Sequence, residues 1–136
     1  MSTNLNCIML VDDNPDDNFF HEREIKKSNS EIVVIKKNTA LDALNYLMAN
    51  KHEAFKLPDL IFLDINMPGI NGWEFLEKYN LLAKELQSKV VIIMLTTSEN
   101  SDDIKNAKSV NYVSDFITKP MTKAIMNRII NKYFKV

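Results

Sequence analysis

Leu60-Ile61-Phe62-Leu63-Asp64 is the stretch that decides the fold, because an unbroken apolar run leads directly into a carboxylate. Such a run is typical of a strand that is covered on both faces in a parallel sheet. Four further apolar runs flank it along the chain, at residues 7–11, 32–35, 90–95 and 116–118. The second run gives way at once to Lys36 and Lys37, which favours an edge of the sheet. The sequence therefore predicts five strands.

Helix starts can be recognised between the predicted strands. The pair Asn14-Pro15 offers a capping side chain and a residue suited to the first helical position. Ser101 begins the fourth predicted helix, and the last helix covers residues 122–133. Strict alternation of strands and helices implies a mostly parallel sheet with helices on both faces. We therefore expect one α/β domain over residues 1–136, with no output domain.

The composition limits the possible functions. The chain has 136 residues, 46% of them hydrophobic, which is enough for one independent core. Its 17 basic and 18 acidic residues give a net charge of −1, so we expect no nucleic-acid partner. The single cysteine, Cys7, excludes an intramolecular disulfide and a cysteine-cluster zinc site. Without a signal peptide or an apolar run of ~18 residues, the sequence indicates a cytoplasmic protein with no membrane contact.

The residues that follow the predicted strands form a chemically coherent set. In an open parallel sheet, ligands bind outside the carboxyl ends of the strands, so these residues share one edge. They are three carboxylates, one hydroxyl and one ammonium, from Asp12, Asp13, Asp64, Thr96 and Lys119. Each of them alone could be a helix cap or a solvated strand end, but their joint arrival at one edge indicates a site.

Three carboxylates at one edge point to a metal ion and to phosphoryl transfer. Crowded aspartates repel one another, and a cation relieves the repulsion. Mg²⁺ suits the set because it takes hard oxygen ligands and commonly binds through one or two carboxylates plus a phosphate. An aspartate can also be a nucleophile that carries an acyl phosphate, while a lysine neutralises the phosphoryl oxygens. The set therefore predicts phosphoryl transfer onto one of the aspartates.

Four stretches of the chain are similar to the motifs of one family. They are VDDN at residues 11–14, LDINMPGING at 63–72, MLT at 94–96 and DFITKP at 115–120. In this order they resemble the receiver domain of two-component response regulators, the CheY-like family, over essentially the whole chain. The resemblance implies a flavodoxin-like, three-layer, doubly wound (βα)5 fold whose parallel sheet has the strand order 2-1-3-4-5. The chain's only glycines, Gly69 and Gly72, both follow Asp64, which indicates a sharp turn there.

The resemblance gives a role to each carboxylate. Asp64 would be the phosphoacceptor. Asp12 and Asp13 would hold Mg²⁺, with Asp64 and the backbone carbonyl of Asn66 completing the protein ligands. The predicted cofactor is therefore Mg²⁺.

The resemblance also implies a conformational switch. Thr96 would be the switch hydroxyl, and Phe116 would be the aromatic residue that moves with it. Lys119 would face the phosphate, aimed by a cis peptide bond to Pro120. Phe116 could also be a plain core aromatic, but its position three residues before Lys119 favours the switch.

A receiver domain implies protein partners. The phosphodonor would be a histidine kinase or a phosphotransfer protein. An unidentified target protein would bind the face formed by the fourth helix, the fifth strand and the fifth helix. The domain would be a monomer or a weak dimer. It would be a signalling switch and not an enzyme, although it would catalyse its own phosphorylation and slow dephosphorylation.

Three other functions compete with this one. A flavodoxin-like flavin carrier shares the architecture, but the acidic loop of residues 12–17 would repel a flavin phosphate. A haloacid-dehalogenase-type phosphatase needs a second aspartate two residues after the nucleophile, where this chain has Asn66. An interaction module that works without phosphorylation would keep only the fold, although every expected site residue is present in this chain.

Overall fold

A computed structural model describes residues 5–48, 58–65, 72–81, 90–96 and 113–134. The elements in chain order are β1 (Cys7–Val11), α1 (Pro15–Ser28), β2 (Val33–Lys37), α2 (Ala40–Met48), β3 (Leu60–Asp64), α3 (Gly72–Tyr79), β4 (Val91–Thr96), β5 (Asp115–Thr118) and α4 (Lys123–Tyr133). The helix predicted to begin at Ser101 lies outside the described residues. Within those residues, every helix is too short or too polar to cross a bilayer.

The five strands form one parallel sheet in the order β2-β1-β3-β4-β5, which confirms the predicted topology. Asp64 is the last residue of β3 and pairs with Leu95, next to Thr96 at the end of β4. Because all strands run in the same direction, their carboxyl ends share one edge of the sheet.

The strand β2 lies at an edge, as predicted, but its bounds differ from the predicted run of residues 32–35. It covers Val33–Lys37, and both lysines pair with the end of β1. An edge strand accepts such residues because its side chains reach solvent, and the Lys36 ammonium lies 2.8 Å from a Glu22 carboxylate oxygen.

The sheet is packed on both faces, since successive strand residues point to opposite sides. One layer consists of α2 and α3, and the other of α1 and α4. The cluster under α2 and α3 includes Met9, Val11, Leu44, Ile61, Phe75 and Tyr79. The cluster under α1 and α4 includes Ile8, Leu10, Ile25, Phe62, Met126 and Ile129. Every residue of β1 and β3 is buried, as expected for strands covered on both faces.

The helix starts follow the local sequence. The Asn14 side chain accepts hydrogen bonds from the backbone N–H groups of Asp16 and Asp17, and Pro15 is the first residue of α1. The Thr122 hydroxyl caps α4 and accepts from the N–H of Ile125. The predicted cap at Asn14 is confirmed, and the last helix lies at the predicted place. These caps fix where α1 and α4 begin relative to the carboxyl edge of the sheet.

Candidate functional site

The carboxyl edge of the sheet brings the predicted site residues together. Asp12 and Asp13 follow β1 directly, Asp64 ends β3, and Thr96 ends β4. Lys119 follows β5, and its backbone N–H donates to the Thr96 carbonyl over 2.7 Å. Five residues from four separate parts of the sequence therefore meet because β1, β3, β4 and β5 run in parallel and end at one edge.

Three carboxylates converge at this edge. Oxygens of Asp12, Asp13 and Asp64 all lie within 4.8 Å of one another. Asp12 and Asp64 are buried, whereas Asp13 is exposed. Among the residues that the structure describes, this is the one such group close enough to hold a metal ion. A half-buried set of carboxylate oxygens that opens to solvent fits Mg²⁺, which prefers hard oxygen ligands and keeps several waters. Asn66, the further predicted ligand, lies outside the described residues.

The Lys119 ammonium is the cation within this acidic pocket. Its Nζ lies 2.6 Å from Asp12 Oδ2, 2.9 Å from Asp17 Oδ2 and 3.7 Å from Asp64 Oδ1. Burial of the ammonium opposes its protonation, but the hydrogen bonds to Asp12 and Asp17 outweigh burial and raise the pKa of Lys119 above its ordinary value. The side chain is therefore a fixed positive charge beside Asp64. The peptide bond between Lys119 and Pro120 is cis.

The two predicted switch residues lie in adjacent strands. Thr96 is fully buried at the end of β4. Phe116 lies in β5, is half-buried, and packs against the cluster under α2 and α3. The chain thus places Thr96 at the carboxyl edge of the sheet and an aromatic ring within the adjoining strand, and their coupled movement stays a prediction.

Gly72 explains how α3 begins so close to Asp64. A Cβ atom on this residue would lie 2.7 Å from the carbonyl oxygen of Asp64 and 2.8 Å from the Cα of Ile65. The Gly72 N–H donates to the Ile65 carbonyl over 2.9 Å. Only glycine allows this approach of one backbone segment to another. The predicted turn after Asp64 therefore has a steric cause at Gly72, while Gly69 lies outside the described residues.

One face of α1 contributes contacts that the sequence analysis missed. Asn18 Nδ2 donates to the backbone carbonyl of Asp12 over 3.0 Å. His21 Nε2 accepts from the backbone N–H of Met121 over 3.3 Å, and Glu24 accepts from that of Lys123 over 2.9 Å. We call Asn18, His21 and Glu24 the polar face of α1. All three are buried. They connect α1 to the segment that follows β1 and to the segment that follows β5.

The charge states on the polar face of α1 suit these contacts. Burial, followed by the positive charge of Lys119, lowers the pKa of His21 from its ordinary value of 6.5. The imidazole is therefore neutral near pH 7 and can accept a hydrogen bond at Nε2. The hydrogen bond from Lys27, followed by that from the Lys123 N–H, lowers the pKa of Glu24. Glu24 is therefore an ionised acceptor at the start of α4.

The polar face and Asp17 have a signal in the sequence, although a weak one. Asp17, His21 and Glu24 recur at spacings of four and three residues, the period of one helix face, and Ile25 lies on the same buried side. An acidic residue in the first turn of a helix also suits the helix dipole, and this simpler explanation of Asp17 makes the signal weak.

Comparison with known proteins identifies the class of domain. The chain is similar to a solved two-component response regulator from Cytophaga hutchinsonii, with a TM-score of 0.86 and 27% identity over 96% of this chain and 97% of that one. A family model described as the response regulator receiver domain matches residues 8–131. The chain belongs to the response regulator receiver domain family of two-component systems. This membership confirms the resemblance stated from the motifs and removes support from the flavin-carrier and phosphatase alternatives.

Two curated relatives differ in the share of their own length that aligns with this chain. Protein PilH of Pseudomonas aeruginosa is 23% identical over 91% of this chain and 93% of its own length. A probable methanogenesis regulatory protein, FilR2, of Methanothrix harundinacea is 29% identical over 66% of this chain. The aligned region spans 56% of FilR2, so this chain covers about half the length of that relative.

Proposed function

We propose that this receiver domain is a phosphoacceptor switch in which Asp64 receives a phosphoryl group from a histidine kinase or a phosphotransfer protein. The observation that supports it best is the pocket itself. The Asp64 carboxylate lies 3.7 Å from the Lys119 ammonium, within a group of three carboxylates whose oxygens lie within 4.8 Å. A nucleophilic oxygen with a fixed positive charge beside it is suited to phosphoryl transfer, where positioning and charge stabilisation supply most of the catalysis.

The proposed reaction balances as a displacement at phosphorus. A carboxylate oxygen of Asp64 forms a bond to the phosphorus of a phosphohistidine, and the P–N bond breaks. The electron pair of that bond returns to the imidazole, and the ring leaves as a neutral group because its other nitrogen already carries a proton in the phosphohistidine. Lys119 and the Thr96 hydroxyl stabilise the charge on the phosphoryl oxygens. Water later attacks the phosphorus, which releases inorganic phosphate and restores the Asp64 carboxylate in a slow self-dephosphorylation.

Mg²⁺ is the proposed cofactor of this pocket. Asp12, Asp13 and Asp64 would hold it, together with the backbone carbonyl of Asn66, which the family motif assigns to this role. When bound, Mg²⁺ neutralises negative charge on the phosphoryl oxygens. Within the pocket, Lys119 supplies a second positive charge that remains in place because Asp12 and Asp17 raise its pKa.

The proposed output is a protein–protein interaction. A phosphoryl group adds roughly two negative charges and new acceptor oxygens. Thr96 would move toward them, and Phe116 would rotate into the space that this movement opens. The face formed by the helix predicted to begin at Ser101, by β5 and by α4 would then adopt the target-binding conformation more often. This change is a population shift. We propose a cytoplasmic monomer or weak dimer, with protein partners and no nucleic-acid or membrane partner.

Phosphorylation by a small donor tests the proposed function. Wild-type protein, Asp64→Asn and Asp16→Asn are incubated with acetyl phosphate, with and without Mg²⁺, and intact masses are measured. Asp16→Asn is a matched control because it removes one exposed carboxylate from the start of α1. We expect one phosphoryl group on the wild type and on Asp16→Asn, only with Mg²⁺, and none on Asp64→Asn. Equal labelling of Asp64→Asn would overturn the proposal, and no labelling of any variant would favour the phosphorylation-independent interaction module.

A further inference from the structure

We propose that Asp17 is a positioning residue that holds the Lys119 ammonium away from the acceptor carboxylate in the unphosphorylated domain. The proposal rests on the proposed function, because it concerns how Lys119 reaches a phosphoryl group on Asp64. The Lys119 Nζ lies 2.9 Å from Asp17 Oδ2 but 3.7 Å from Asp64 Oδ1. Asp12 is the other carboxylate that binds the ammonium, with its Oδ2 2.6 Å from the Nζ. Lys119 therefore bonds to two carboxylates that are not the proposed phosphoacceptor, and it lies farther from Asp64, which is.

Asp17 differs from the other acids of the pocket in its surroundings. Its side chain is 36% exposed, whereas those of Asp12 and Asp64 are 4% and 8% exposed. It also lies outside the group of three carboxylates that could hold a metal ion. Its contact with Lys119 is thus available for exchange, since water can solvate the Asp17 carboxylate once the ammonium leaves.

The helix start fixes the position of Asp17 while Lys119 can move. The backbone N–H of Asp17 donates to the Asn14 side chain, and Asp17 belongs to the first turn of α1. Lys119 is a long side chain on the loop that follows β5, with several rotatable bonds between its backbone and its ammonium. A change of partner therefore moves the lysine and leaves the carboxylate in place.

The charges decide when the partner changes. Before phosphorylation, Asp12 and Asp17 each offer the ammonium a carboxylate at hydrogen-bond distance, and Asp64 offers one at 3.7 Å. A phosphoryl group on Asp64 adds roughly two negative charges and three acceptor oxygens, so it outcompetes Asp17 for the ammonium. Asp17 thus opposes the movement of Lys119 during phosphorylation. Dephosphorylation begins with Lys119 already at the phosphoryl group, so Asp17 affects it less.

Asp16 provides a matched control for this effect. Asp16 and Asp17 are neighbours in the first turn of α1, and the same Asn14 oxygen accepts from both backbone N–H groups. Within the described part of the chain, Lys119 forms ion pairs with Asp12, Asp17 and Asp64 but not with Asp16. Asp16→Asn and Asp17→Asn therefore remove the same charge from the same turn and differ in the contact with Lys119.

The experiment compares rate constants for phosphorylation by acetyl phosphate and for dephosphorylation after the donor is removed. We expect Asp17→Asn to be phosphorylated about two to five times faster than Asp16→Asn, the factor that corresponds to a partly exposed ion pair. The dephosphorylation rates of the two variants should differ by less. Asp17→Glu retains the carboxylate and should return the phosphorylation rate toward that of the wild type.

Two results would overturn the role of Asp17. One is a phosphorylation rate of Asp17→Asn equal to or below that of Asp16→Asn. The other is an acceleration by Asp17→Asn that persists in a Lys119→Gln background, where no ammonium is left to release. Both results require that the wild type is labelled on Asp64. Absence of label in the wild type would instead overturn the proposed function and this inference with it.

Discussion

The two faces of the sheet are packed by different means. The layer of α2 and α3 buries aliphatic and aromatic side chains, such as Leu44 and Phe75. The layer of α1 and α4 also has an apolar cluster, but it adds the polar face of α1. The described buried polar side chains divide between the carboxyl edge (Asp12, Asp64, Thr96) and this face (Asn18, His21, Glu24). One layer therefore stabilises the domain, whereas the other also positions the loop that carries Lys119.

The largest expected effect lies in the apolar layer. Phe75 is fully buried and stacks on Tyr79 with ring centroids 6.0 Å apart. Phe75→Ala should lower the free energy of unfolding by about 4 kcal/mol, because it removes buried apolar surface and leaves a cavity. The exposed Glu77→Ala on the same helix should change it by less than about 0.5 kcal/mol. Urea unfolding measures both, and similar values for the two variants would contradict the role of this layer.

Gly72 lies at the junction of the apolar layer and the site. Intrinsic helix propensity alone predicts that Gly72→Ala stabilises α3 by about 1 kcal/mol. The new Cβ would instead overlap the backbone at Asp64 and Ile65, which we expect to lower the free energy of unfolding by about 2 kcal/mol. The sign of the change in urea unfolding decides between the two effects. A stabilised Gly72→Ala protein would show that the approach of α3 to the backbone at Asp64 is not tight.

His21 tests the polar face of α1. His21→Leu fills the place of the imidazole with an apolar side chain but leaves the Met121 N–H without its acceptor. The loss of this hydrogen bond should lower the free energy of unfolding by about 1.5 kcal/mol. The variant should also be phosphorylated more slowly, since Met121 lies two residues after Lys119. Folded Phe75→Ala protein is the reference and should keep its phosphorylation rate. A wild-type phosphorylation rate in His21→Leu would mean that the polar face of α1 does not position the loop that carries Lys119.

The smallest expected effect is the pH dependence of stability. His21 has a lowered pKa in the folded domain, through burial first and Lys119 second, against the raising effects of Asp12, Asp17 and Glu24. The unfolded chain therefore binds a proton more readily, so the contribution of His21 is complete above pH 6.5 and is lost as pH falls below it. The difference in unfolding free energy between wild type and His21→Leu should shrink from pH 7.5 to about pH 5. A difference in unfolding free energy that grows as pH falls would contradict the lowered pKa of His21 in the folded domain.

Much of the fold could be predicted because its signals are local. Unbroken apolar runs marked the strands at β1 and β3, and Asn14 and Thr122 marked the starts of α1 and α4. The bounds of β2 could not be predicted in the same way. Lys36 and Lys37 are poor strand residues by composition, and only their pairing with the end of β1 at a sheet edge extends the strand through them.

The candidate site could also be predicted from the sequence only in part. Parallel topology was sufficient to place Asp12, Asp64 and Lys119 at one edge, since each follows or ends a strand. The contacts of Asp17 and His21 were not predictable, because their partners lie 102 and 100 residues further along the chain. Which face of α1 meets the loop after β5 depends on how α1 packs beside α4. That packing is a tertiary property that no local pattern encodes.

Locating the covalent phosphate on the polypeptide is the most direct test of the central claim. Protein phosphorylated in the presence of Mg²⁺ is treated with borohydride, which reduces an aspartyl phosphate to homoserine, and its peptides are sequenced by mass spectrometry. We predict homoserine at position 64 and unmodified aspartate at positions 12, 13 and 17. Homoserine at any of those three positions, with position 64 unchanged, would contradict the account.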